Sequence, residues 1–119
     1  MALDHAKPGQ PVDIGPLGTV LRQSATHAIV KTRSLEVIRL VLQDGQTLPS
    51  HVTRGESTLL CIEGAAELTV DGTACLLRAN QFVLLPAQAA HTMQALQDTS
   101  LLWTIQLPAG EPGSASATS

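Results

Sequence analysis

Aromatic residues are almost missing from this chain of 119 residues, which has one Trp, one Phe and no Tyr. Flat side chains on which bases or sugar rings stack are therefore scarce, which argues against carbohydrate and single-stranded nucleic acid as ligands. Charge is sparse as well. Lys and Arg number 7 against 10 Asp and Glu, for a formal net charge of −3. Without a basic cluster, the electrostatic footprint of a protein that binds nucleic acid or polyphosphate is missing. No apolar run approaches the ~18 residues of a membrane-spanning helix. Residues 1–8 hold no apolar core of the secretory kind, so the expected location is the cytoplasm and no membrane partner is expected. Cysteine is limited to Cys61 and Cys75, with no Cys-x-x-Cys and no zinc-finger spacing. A bridge between them is geometrically possible, but in a cytosolic chain the preferred reading is two small buried apolar residues.

What is present is aliphatic. Hydrophobic residues make up 44% of the chain, so Leu, Val, Ile and Ala must fill the single core that a chain of this length supports. Residues 1–18 are rich in Pro and Gly and read as an extended N-terminal arm, laid across the domain. Residues 108–119 carry too few apolar groups to offset ordering entropy and read as a flexible tail. Between them, residues 19–107 read as a run of short strands. Strands are expected at 35–42, 58–63, 67–70, 73–77, 82–85 and 101–107. Asp71-Gly72 marks a hairpin, because a type I′ turn needs positive φ at both central residues. Residues 87–97 have helical propensity, with four alanines, Leu and Met and no Gly or Pro. The short strands and turns around them favour a strand from His91 to Leu96, where packing overrides propensity. The fold class expected is all-β, a sandwich or barrel.

Two stretches carry candidate chemistry. In the first, Gly45 is followed after five residues by His51, then Thr53, Glu56, Ser57 and Gly64. In the second, Asn80 precedes Pro86, Gln88, His91 and Ala95. Their order and spacing resemble the paired motifs of the cupin family, over roughly residues 35–107. More narrowly, the chain is similar to small single-domain cupins of RmlC-like type with a reduced first motif. That resemblance implies a double-stranded β-helix, or jelly-roll barrel, in which three histidines and a glutamate surround a divalent metal. Here His51 and His91 stand at ligand positions. Thr53 stands where the second histidine belongs, and Ser57 where the carboxylate belongs. Glu56 is one residue off, and a one-residue slip on a strand turns a side chain to the opposite face. A turn at Arg54-Gly55 would restore its aim. Asn80 replaces a glycine and tolerates left-handed geometry.

Three readings stay open. The preferred one is a small-molecule binding or sensing protein with no tightly held metal. His51 and His91 are then polar anchors of a largely apolar pocket, with Thr53, Ser57 and Met93 beside them. The second is a metal-dependent enzyme of oxygenase or isomerase type. His51, Glu56 and His91 would hold Fe, Mn, Ni or Zn as a two-histidine, one-carboxylate set with open positions. The third is a dimerising scaffold, since small cupins pair through a strand face and a homodimer is expected. Core packing is the default for Met93, and Trp103 is expected in the core or a dimer interface. Arg39 is expected to face solvent in preference to pairing with an acidic ligand, and His5 and His27 are expected to be exposed. No catalytic nucleophile is supported, because Ser57 lacks a placed relay and neither cysteine has surroundings that lower its pKa.

Overall fold

The structure is a computed structural model that describes residues 5–108. Most of the expected tail lies outside the described residues. Among the described residues, nine strands follow a short 3-10 helix at Gly18–Gln23. They are β1 (His27–Lys31), β2 (Leu35–Leu42), β3 (Thr47–His51), β4 (Ser57–Glu63), β5 (Ala65–Val70), β6 (Thr73–Arg78), β7 (Phe82–Leu85), β8 (His91–Ala95) and β9 (Thr99–Gln106). All pairings are antiparallel. One sheet runs β1-β2-β9-β4-β7 and the other β3-β8-β5-β6, the two-sheet arrangement of a jelly-roll barrel.

Alternation along the strands builds the core between the sheets. Leu59 and Cys61 of β4, with Leu101, Trp103 and Ile105 of β9, project inward to meet Leu68, Met93 and Ala95. β2 is buried over most of its length rather than alternately, because its other face is covered too. The N-terminal arm lies there. Ala6 N–H donates to the Ile29 carbonyl at 2.7 Å, and the Gly15 carbonyl accepts from Arg39 at 2.5 Å.

Local chemistry accounts for the turns. Asp71 and Gly72 take φ of 46° and 84°, as the β5–β6 hairpin requires. Asn80 takes φ 69°, the left-handed position a glycine would otherwise fill. Residues 91–95 are a strand despite their composition. His91, Met93 and Ala95 alternate inward between β3 and β5, and that burial outweighs intrinsic helix preference.

Three expectations are corrected. Arg39 does not face solvent; it is 4% exposed. The Gly15 carbonyl and the Ser100 hydroxyl accept from its guanidinium, and Glu63 lies 3.9 Å away. Cys75 is exposed rather than buried, and both cysteines are free. β1 and β3 were not among the expected strands. β3 is an edge strand carrying Pro49, which removes a ladder donor and blurs its pattern.

Candidate functional site

His51 and His91 meet because of a defect in a strand pairing. Leu48 pairs with Met93 and His51 with His91, so three steps on β3 match two on β8. The extra residue is a bulge at the Pro49-Ser50 step, and it puts Leu48 and His51 on one face although they are an odd number apart. On β8, His91 reaches the interior by ordinary alternation, followed by Met93 and Ala95.

Trp103 reaches the same place from the facing sheet. The ring centroids of His51 and His91 lie 5.8 Å apart, those of His51 and Trp103 5.3 Å, and those of His91 and Trp103 5.4 Å. All three contacts are edge-on, with interplanar angles of 68° to 88°. His91 and Trp103 are buried, and His51 is half-buried. Ile38 and Leu59 flank Trp103 across the sheet, and Val70 flanks His91. Ser57 is buried on β4 beside Ile105, two pairs along from Leu59–Trp103.

The polar atoms here lack partners. His51 Nε2, both ring nitrogens of His91, Trp103 Nε1 and Ser57 Oγ are buried without a hydrogen bond. A buried donor or acceptor left unpaired costs about 1–3 kcal/mol, so several together mark a place built to receive a polar group. Burial pushes the pKa of His91 below its ordinary value, and neighbouring His51 adds to this. The Ala89 backbone, near the ring without a well-formed hydrogen bond to it, opposes in part. These surroundings favour the neutral imidazole.

The remaining candidates are placed as follows. Thr53 is buried, but its hydroxyl donates to the Gly55 carbonyl at 2.9 Å and is spent on its own turn. Met93 packs in the core, paired with Leu48 and Leu68. Glu56 is exposed and borders an outer groove with Leu35, Thr58 and Gln106. His5 is exposed; His27 is half-buried, its Nδ1 lying 3.0 Å from the Ala25 carbonyl.

This donor set does not fit the metal that the motifs imply. Among the described residues, no three His, Cys, Asp or Glu side chains gather closely enough to hold a metal ion. Glu56 thus forms no metal-holding group with His51 and His91 among the described residues. The ligand position of the missing carboxylate carries Ser57, a weak neutral donor, and a catalytic metal site ordinarily has three protein ligands. Trp103 is the site residue that sequence reasoning left in the core or an interface. Its odd-numbered place on β9, in step with Leu101 and Ile105, marks the inner face, but which histidines it meets depends on how the sheets stack.

The cupin domain model matches residues 38–106, more than half of the chain. No curated protein matches. Among solved structures, the chain is similar to a conserved protein of unknown function from Streptococcus pyogenes, with 19% identity and a TM-score of 0.71, over 92% of this chain and 100% of that one. A cupin superfamily protein from Desulfitobacterium hafniense shows 16% identity and a TM-score of 0.73, over 91% and 100%. A salicylate 1,2-dioxygenase from Pseudaminobacter salicylatoxidans matches at 18% identity and a TM-score of 0.59, over 61% of this chain but 21% of that one. At these identities the likeness concerns the fold.

Proposed function

The chain belongs to the cupin family, and on that premise we propose that it binds a small molecule inside the barrel without a tightly held metal. The observation that carries this reading is the cluster of His51, His91 and Trp103 between the sheets, each ring holding an unpaired buried polar atom. Two imidazoles and an indole fix the orientation of a ligand, and the aliphatic side chains beside them contact the rest of it. Metal content after loading with Fe, Mn, Ni or Zn tests the proposal. It expects far less than one metal per chain, together with a rise in melting temperature for at least one member of a small-molecule panel. That rise should disappear in His51→Ala and His91→Ala. One metal per chain, lost in both variants, would overturn it.

The same proposal includes self-association and a cytoplasmic setting. Phe82 pairs with Leu60 and Leu60 with Leu102, an uncharged row across the outer face of the larger sheet. Phe82 is 64% exposed and Leu84 beside it 56%. A second copy of the chain, meeting this face about a two-fold axis, would bury the row. The two free cysteines suit a reducing compartment. Among the described residues, no helix is long and apolar enough to cross a membrane.

A further inference from the structure

We propose that the ligand of the His51–His91–Trp103 site is a small carboxylate, whose oxygens accept hydrogen bonds from the Trp103 indole and from imidazole N–H; this rests on the small-molecule reading above. The class follows from counting what the unpaired atoms need. Trp103 Nε1–H gives a proton and accepts none. Neutral His91 offers one N–H and one lone pair, whichever tautomer it adopts. Ser57 offers one O–H and its lone pairs. All of these atoms are buried and unpartnered. At the rings, the indole N–H and an imidazole N–H therefore await acceptors, and the Ser57 hydroxyl awaits one two pairs along β4.

Three ligand chemistries can be compared against that inventory. A divalent cation would use the imidazole lone pairs but leave the Trp103 N–H unmet. A purely apolar guest would leave every donor unmet. A carboxylate brings two oxygens with about four lone-pair sites, and hydrogen bonds to an ionised acceptor are roughly twice as strong as neutral ones. The side chains that flank the rings, Ile38, Leu59 and Val70, are aliphatic. They suit a short hydrocarbon body behind the carboxyl group.

The chain carries its own reporter, since Trp103 is its sole tryptophan. In a nitrogen-15 correlation spectrum the single indole N–H resonance reads the atom that the proposal names. Sodium benzoate and sodium propionate are titrated against benzamide, propionamide, sodium chloride of equal ionic strength, and ZnCl2. The expected result is a saturable downfield shift with the two carboxylates and little with the amides or chloride. By calorimetry, Trp103→Phe should lower carboxylate affinity about tenfold, the loss of one hydrogen bond to a charged group. Should that variant fail to fold, the wild-type indole shift still decides. Amides binding where carboxylates do not would overturn the carboxylate assignment and leave the small-molecule reading standing. Stoichiometric zinc with no carboxylate response would overturn both. A flat indole resonance across the whole series would overturn the inference.

Discussion

His91 is buried and Glu63 half-buried, and both have lowered pKa values from opposite causes: the first site disfavours the charged form, the second favours it. For His91, burial disfavours the imidazolium and lowers the pKa from its ordinary 6.5. The unfolded chain then takes up a proton below that value while the folded chain resists it, so stability present above pH 6.5 is lost as the pH falls. For Glu63, burial alone would raise the pKa. The Ser100 hydroxyl, the Leu17 and Gly18 amides and the Arg39 charge outweigh it and hold the carboxyl below its ordinary 4.5. Its contribution is present above pH 4.5 and lost below. A melting curve series from pH 8 to pH 3 should therefore show two contributions to the decline, one setting in below pH 6.5 and the other below pH 4.5. His91→Gln should flatten the upper one and Glu63→Gln the lower one; an unchanged upper decline in His91→Gln would sink the assignment to this imidazole. The cysteines divide in the same way by environment. Cys61 is buried, and desolvation raises its thiol pKa, with the Glu63 charge adding to this and the Glu63 backbone opposing. Cys75 is exposed. A thiol reagent should label Cys75 in the native protein and reach Cys61 only in denaturant, which mass spectrometry of the labelled peptides checks.

Strands and turns show where sequence suffices and where it does not. The Asp71-Gly72 hairpin is legible because its signal is local: two residues that accept positive φ between two apolar runs. β8 is legible only through its surroundings, since its own alanines favour a helix. β3 is not legible, because Pro49 and the bulge break the period-two pattern, and the bulge is what sets His51 opposite His91. Gly64, between β4 and β5, shows how tightly such joints are made. Its φ is 85°, and an added Cβ would overlap the Asp98 carbonyl oxygen. Gly64→Ala combines backbone strain with a clash against main chain and should cost about 3 kcal/mol or more, measured by urea denaturation; a loss under about 1 kcal/mol would mean the joint relaxes. The arm is held by an analogous joint. Glu63 accepts the Leu17 and Gly18 amides at 2.8 and 3.0 Å, and the Ser100 hydroxyl at 2.5 Å. Arg39 closes the set through Gly15. Arg39→Ala leaves Glu63 without its cation and should destabilise the chain by about 2–4 kcal/mol. Hydrogen exchange would then accelerate at the amides of Gly15, Leu17 and Gly18 ahead of the β4 and β9 core. Uniform acceleration of both would show that the arm and the core open together.

At the scale of the whole molecule, alternation and turn chemistry convey the barrel, but contacts between distant segments stay hidden. Arg39 sits in an apolar run, and nothing near it in sequence reveals that its partners lie at Gly15 and Ser100, 24 and 61 residues away. Trp103 is hidden likewise, because its meeting with the histidines depends on the stacking of two sheets. The same stacking leaves the outer face of the larger sheet unevenly covered. Its β2 side lies under the arm at Arg39. The β4–β7 side carries the exposed Phe82 and Leu84 beside the half-buried Leu60. β7 is also the edge of its sheet, and four uncharged residues at an edge are a template for association unless something blocks them. A symmetric partner contributes the same row again, so each substitution there counts twice in the dimer. Sedimentation velocity at micromolar concentration should show a dimer. Phe82→Glu with Leu84→Glu would place four carboxylates in one apolar interface and should give a monomer with the native β-sheet circular dichroism retained. The outer position of both residues keeps the barrel core, and with it binding at His51 and His91, outside the effect. A wild-type monomer under those conditions, or a double variant that remains dimeric, would move the association to another face or remove it.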